Sequence, residues 1–206
     1  MSEKICKLDK RTKLNYCGKD KSLKPVIRYP GGKSRVAKNI IKIMPEHSVY
    51  DEPFIGGGGL FFAKPLTEKN YINDKNSNLI NMYNKIKNIS QDELNKCKVK
   101  ISKPEFKALF KKGKIRSYCE YLKLNKNSYG GMMKSYGYNK RIEKMASLKK
   151  NLDHYQEKLK KSKISNKDFK DVMRESDSAS TLHYLDPPYH DVKCTRDDKC
   201  YGDHSI

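Results

Sequence analysis

The sequence predicts an α/β fold built on a mainly parallel sheet, and three observations carry that expectation. Short apolar runs alternate with amphipathic helical stretches across residues 25–90 and again from 162 onward. Four glycines, Gly56 to Gly59, follow the first apolar run, at the strand-to-helix turn where open α/β sheets bind ligands. A later apolar run, Leu182 to Leu185, stops at Asp186-Pro187-Pro188-Tyr189, and prolines cannot extend a strand.

The elements follow in order. Residues 1–24 read as a basic, flexible arm. Gly31-Gly32 leads into a helix whose Val36, Ala37, Ile40, Ile41 and Met44 share one face, with Ser34 as its cap and Pro45 as its stop. Ser48-Val49-Tyr50 is a short buried strand running through Asp51-Glu52-Pro53-Phe54-Ile55 into the glycines. Tyr71-Ile72 is a second strand, and Leu79, Ile80, Tyr83 and Ile86 mark the next helix. Residues 90–160 read as mostly helical and lysine-rich; Lys163-Ile164 is a strand and Asn166 to Met173 a helix. The expected organisation is a sheet domain over 25–90 and 162–206, with 91–161 inserted into it.

Composition narrows the partners. The 206 residues hold 45 Lys and Arg against 24 Asp and Glu, a formal charge of +21. No stretch approaches the roughly 18 apolar residues of a spanning helix, which excludes a helical membrane protein. A chain this basic meets polyanions, nucleic acid above all. Residues 85–170 carry 25 basic and 8 acidic residues, and 94–152 hold only Glu105, Glu120 and Glu143 as acids. The lysine bias of the chain explains which cation is used, but not why acids avoid the insertion. We therefore expect a nucleic-acid face there.

The opening residues lack the apolar core of a signal peptide, so an intracellular chain with reduced thiols is expected. Cys6, Cys17, Cys97 and Cys119 lack metal-like spacing. His190, Cys194, Cys200 and His204 match no common zinc pattern, so free thiols in a loop are expected and no metal.

Three constellations carry chemistry. Glycines after a strand let backbone approach a ligand closely, although a flexible loop has the same composition. Asp74, after the next strand, stands where nucleotide-binding sheets receive ribose hydroxyls; its other reading is a helix cap. No phosphate-cradling G-x-x-x-x-G-K-[ST] is present. The Asp186 carboxylate and Pro187 carbonyl can both accept from one amino group, and Tyr189 offers a ring for a planar base. That is a holder for the exocyclic amine of an extruded base.

These blocks, in this order, resemble the DNA adenine methylase (Dam-type) family of N6-adenine methyltransferases. Arg28-Tyr29-Pro30-Gly31-Gly32-Lys33 resembles its W-x-G-G-K element, with Tyr for Trp. Glu52 to Phe61 resembles its E-P-F-x-G-x-G-x-x-F loop, and Asp74 to Ile80 its D-x-N-x-x-L-I block. Leu124-Asn125, with Tyr129 and Gly131, resembles the L-N-R-x-x-x-x-G stretch of its target-recognition region.

The resemblance implies a Rossmann-like methyltransferase sheet with a basic, helical target-recognition insertion. S-adenosyl-L-methionine is the implied cofactor, and double-stranded DNA carrying a GATC-like target is the implied partner. Tyr29, Lys33, Glu52, Phe54, Gly56, Gly58, Asp74 and Asp186 would hold the cofactor. Asp186, Pro187, Pro188 and Tyr189 would hold the target adenine, and Asn125, Lys126, Tyr129 and Lys134 would contact DNA. Gly130 and Lys134 stand where relatives often carry Asn and Arg, and Lys cannot give the bidentate guanine contact of Arg. The family's domain continues past D-P-P-Y, whereas 17 residues follow Tyr189 here. A sheet incomplete on its carboxyl-terminal side is therefore expected, with a truncated product or a second chain supplying strands. The alternatives are a non-catalytic DNA-binding remnant and, within the enzyme class, N4-cytosine methylation.

Overall fold

The computed structural model of the chain describes residues 6–9, 14–17, 20–137 and 145–188. It opens on an antiparallel hairpin, Cys6–Asp9 (β1) and Leu14–Cys17 (β2), so the described part of 1–24 is not the flexible arm expected. Tyr16 is buried and donates its hydroxyl to the Ala63 carbonyl, while the Leu23 amide donates to the Phe62 carbonyl at 2.8 Å. A run of lysines conceals these anchors from a composition reading.

The next helix starts late. Lys33–Arg35 forms a 3-10 turn, and only Ala37–Lys42 is α-helical (α1), with Val36 as an N-cap that makes no side-chain bond. Ser34 is not the cap; of the expected face Ala37 and Ile41 are buried, whereas Val36 is exposed. Two strands follow, Val49–Glu52 (β3) and Lys69–Asn73 (β4), the latter feeding Ser77–Asn88 (α2). Asn76, not Asp74, caps α2 by accepting from the Leu79 amide at 3.2 Å. Buried Leu79, Ile80, Tyr83 and Ile86 recur at three- and four-residue spacing and form its inner face.

The helical segment comprises Gln91–Lys96 (α3), Lys103–Lys111 (α4), Tyr118–Lys126 (α5), Met145–Lys150 (α6) and Leu152–Lys160 (α7). Ser102 and Glu105 form a reciprocal capping box at α4. The segment is not separate from the sheet. Tyr121, Leu122, Leu152, Tyr155 and Leu159 are buried in one core with Tyr50, Ile72 and the apolar face of α2. Helix α7 packs on α2 and leads straight into Ser162–Ser165 (β5), so it belongs to the β4-to-β5 crossover. Cys97, at the end of α3, forms a disulfide with Cys119 in the first turn of α5, against the expectation of reduced thiols. Their separation of 22 residues hides from the sequence a pairing that the helix packing makes.

Phe169–Ser176 (α8) and Thr181–His183 (β6) complete the described fold. The sheet runs β5-β4-β3-β6 and every pairing is parallel. Side chains alternate along β3. Tyr50 faces the α2–α7 core, while Asp51 faces α8 and accepts from Ser176 Oγ at 2.9 Å. Residues beyond Pro188 lie outside the described range, and no observation supports the expected second chain.

Candidate active site and nucleic-acid interface

From β3 the chain builds outward to β4 and β5, then crosses back to place β6 on the other side of β3. The strand order therefore reverses between β3 and β6, and ligands of open α/β sheets bind at the carboxyl ends of such a pair. Glu52 ends β3, Asp74 follows β4 and Asp186 follows β6, which places three carboxylates at the carboxyl end of the parallel strands.

The glycine loop after β3 is fixed from several sides. The Gly56 amide donates to Asp74 Oδ2 at 2.9 Å, and its carbonyl accepts from the Tyr83 hydroxyl at 2.8 Å. Asp74 Oδ1 accepts from the Asn76 amide at 2.9 Å, so its carboxylate shapes the loop and the start of α2 together. Gly56 has φ +47°, and a Cβ there would fall 2.8 Å from the Tyr29 ring. Only glycine lets that ring lie on the loop. Gly58 donates to the Ile55 carbonyl at 2.7 Å and abuts the Phe62 ring. Phe54 is half-buried, its ring 5.2 Å from that of Phe169.

Lys33 and Asp186, 153 positions apart, meet in an ion pair with Nζ 2.6 Å from each carboxylate oxygen. The same ammonium donates to the Gly31 carbonyl at 3.0 Å. Both side chains are partly buried, and Pro187 and Pro188 continue outward into solvent. Tyr189 lies outside the described residues, as do His190, Cys194, Cys200 and His204.

Beneath this edge lies a polar layer that the motifs do not announce. Glu52 is buried and accepts from the Tyr50 hydroxyl at 2.7 Å; burial pushes its carboxyl up to about 8. Lys64 is buried with its ammonium 4.1 Å from the centre of the Tyr50 ring, and burial, with help from Lys158, brings it down to about 7. On the opposite face burial raises the Asp51 carboxyl, which accepts from His183 Nδ1 at 2.9 Å. All four residues of β3 are buried, so no alternation in the sequence marks this layer.

The four residues expected at DNA divide into two pairs. Asn125 and Lys126 are buried: Asn125 is 1 % exposed and Lys126 donates its ammonium to the Val26 carbonyl. Their side chains turn into the protein, because α5 is enclosed on nearly every side, with Tyr121, Leu122 and Leu124 also buried. Tyr129 and Lys134 sit outside, Tyr129 with 71 % exposure, on a turn closed by the Ser128–Tyr136 bridge. Lys98, Lys100, Lys103, Lys107, Lys111 and Lys114 are all exposed on the same helical segment.

Residues 29–205 match the family described as D12 class N6 adenine-specific DNA methyltransferase. The chain belongs to this family. The matched span includes the glycine loop, Asp74, the helical segment and Asp186, and the family is one of adenine-specific DNA methyltransferases. Among similar proteins, the DNA adenine methylase of Escherichia coli K12 is 28% identical over 200 residues, spanning 87% of this chain and 70% of its own length. The Type II methyltransferase M1.LlaDCHI of Lactococcus lactis subsp. cremoris is 43% identical over 76 residues, 36% of this chain and 26% of that protein. The DNA N-6-adenine-methyltransferase of Escherichia phage P1 is 33% identical over 90 residues, 40% of this chain and 12% of its own. Among the described residues of this methyltransferase, no helix is long and apolar enough to cross a membrane, and no His, Cys, Asp and Glu cluster could hold a metal.

Proposed function

We propose that the chain transfers a methyl group from S-adenosyl-L-methionine to N6 of an adenine flipped out of double-stranded DNA. The observation that carries this reading is the placement of Asp186 and Lys33 at the β3–β6 reversal, beside the glycine loop. The donor set suits the cofactor: an ammonium for its carboxylate, carboxylates for its ammonium and ribose hydroxyls, and the Phe54 ring for its purine. When bound, the cofactor supplies a sulfonium methyl that needs no metal activation.

The protein's part is alignment. The Asp186 carboxylate and the Pro187 carbonyl accept the two N6 hydrogens, which turns the amine lone pair toward the methyl carbon. The bound cofactor would supply that methyl carbon to N6, its carbon–sulfur bond breaking with the electron pair left on sulfur, and the Asp186 carboxylate would take the proton that N6 gives up. Lys33 takes the cofactor carboxylate, Asp74 fixes Gly56 and receives the ribose hydroxyls, and Tyr189 stacks on the target base. Tyr129 and Lys134 face the duplex from the recognition turn. A GATC-like target, a role in restriction–modification or in DNA methylation more broadly, and a location inside the cell all belong to the same reading.

Transfer of labelled methyl to adenine-containing duplex DNA tests it. Asp186→Ala is expected to lower the rate by at least about 10²-fold, the scale on which a positioning acceptor acts. Equal inactivity of wild type and variant, with DNA binding intact, would overturn the enzyme reading and leave the non-catalytic DNA-binding one. Methyl recovered on N4 of cytosine would replace the base.

A further inference from the structure

The buried position of Asn125 gives it a task other than touching DNA. Its side-chain amide pairs with the backbone of Arg28 as a neighbouring strand would. Oδ1 accepts from the Arg28 amide at 3.2 Å and Nδ2 donates to the Arg28 carbonyl at 2.8 Å. The second Nδ2 hydrogen goes to the Gly131 carbonyl at 3.0 Å. One buried amide therefore joins two segments far apart in sequence. The first carries Tyr29, whose ring lies on the glycine loop. The second is the recognition turn that carries Tyr129 and Lys134.

A close backbone approach tightens the same junction. Gly131 has φ +83°, and a Cβ there would stand 2.5 Å from the Arg28 carbonyl oxygen. The turn thus rests its backbone directly on that of Arg28. Lys126, the next residue of α5, holds the Val26 carbonyl from the same side. A primary amide is the one common side chain that can both accept from an N–H and donate to two carbonyls at this spacing. Asn125 is buried with all three of its hydrogen bonds, so a failed partner here is costly.

We infer that Asn125 is a positioning residue that couples the cofactor pocket to the DNA-recognition turn. The inference rests on the proposed function. Ordering of the Tyr29 segment by cofactor fixes Arg28, and through Asn125 fixes Gly131 and the turn. By linkage, DNA on the turn must strengthen cofactor binding by the same factor.

The test is the affinity of a labelled GATC-containing duplex with and without S-adenosylhomocysteine, the demethylated cofactor, which cannot react. Couplings between sites run to about 5–150-fold. We expect a factor in this range for wild type, falling to about one in Asn125→Ser and in Gly131→Ala, while each single-ligand affinity changes less. A merely structural role would lower affinity for both ligands and leave their ratio unchanged, which overturns the inference. Amide hydrogen exchange on the wild-type chain gives a second readout that needs no variant. DNA alone should slow exchange at Arg28, and S-adenosylhomocysteine alone should slow it at Gly131; no change at either overturns the inference. A chain that binds neither ligand overturns the proposed function itself, whereas one that binds both with unlinked affinities overturns the coupling alone.

Discussion

Glu52 is a carboxylic acid held neutral by burial at the end of β3, with an ordinary value of 4.5 moved to about 8. Between those values the folded chain keeps a proton that the unfolded chain has released. Its contribution to stability is therefore full below 4.5 and is lost as pH rises toward about 8. Asp51, raised in the same direction by burial, adds to that slope. Lys64 acts with opposite sign, but only above about 7, where the unfolded chain still holds a proton that the folded chain has lost. Urea midpoints should fall with rising pH from 4.5 to about 7 in wild type, and more gently in Glu52→Gln. Asp186 and Lys33 can be named from sequence because each stands in a short motif beside glycine or proline. Asn125 and Lys126 can be named but not aimed. A polar residue in a helix buried on consecutive positions looks the same in sequence as one facing water.

At the scale of elements, the chain just after the amino-terminal hairpin is held to the body by a buried ion pair. Lys158, on α7, is fully buried with its ammonium 2.6 Å from Asp20 Oδ1 and 2.7 Å from the Lys64 carbonyl. Removing the acid alone strands a cation inside the protein. Asp20→Ala should cost about 3–5 kcal/mol in denaturant unfolding, and the double replacement with Lys158→Met much less. An equal loss in both would show that packing, not charge, sets the cost. The parallel strands β3 and β4 are legible because each holds a short apolar pair near turn residues, and β6 because Leu182 leads the run to Leu185, whereas β5, Ser-Lys-Ile-Ser, offers only Ile164. The hairpin is not, since its two strands are only four residues long and their Lys, Asp and Asn blend into the lysine-rich run around them. The start of α1 is hidden for a related reason. Gly32 and the glycine loop press the chain into a 3-10 turn that side-chain periodicity does not record.

Across the whole molecule the charge is unevenly placed. The body that carries the three carboxylates is close to neutral, and the excess lies on the helical segment between α2 and β5. Lys103, Lys107 and Lys111 stand one turn apart along one side of α4, and all three are exposed. Phe106, on the buried side of that helix, meets Tyr136 of the turn that carries Tyr129 at 5.7 Å between ring centres. The triple alanine variant should lower the slope of log affinity for DNA against log salt by about 0.9 for each phosphate that is no longer neutralised. An unchanged slope would place the duplex elsewhere on the segment. The parallel α/β architecture is readable from the alternation of strands and helices, whereas the strand order and the merging of α7 with the sheet core depend on packing that no local pattern encodes.

The route from β4 to β5 has a kinetic consequence. These strands are hydrogen-bonded neighbours, yet helices α2 to α7 all lie between them in the chain. Closing so long a loop costs entropy before the pairing gives anything back. Helices α2 and α7, already packed on one another, shorten the effective distance that β5 must travel to its partner. The sheet should therefore zip only after that helix pair has formed, and a stopped-flow experiment would see Leu159→Ala slow refolding more than it speeds unfolding. In this protein the basic helical segment is also the scaffold on which the parallel sheet is assembled.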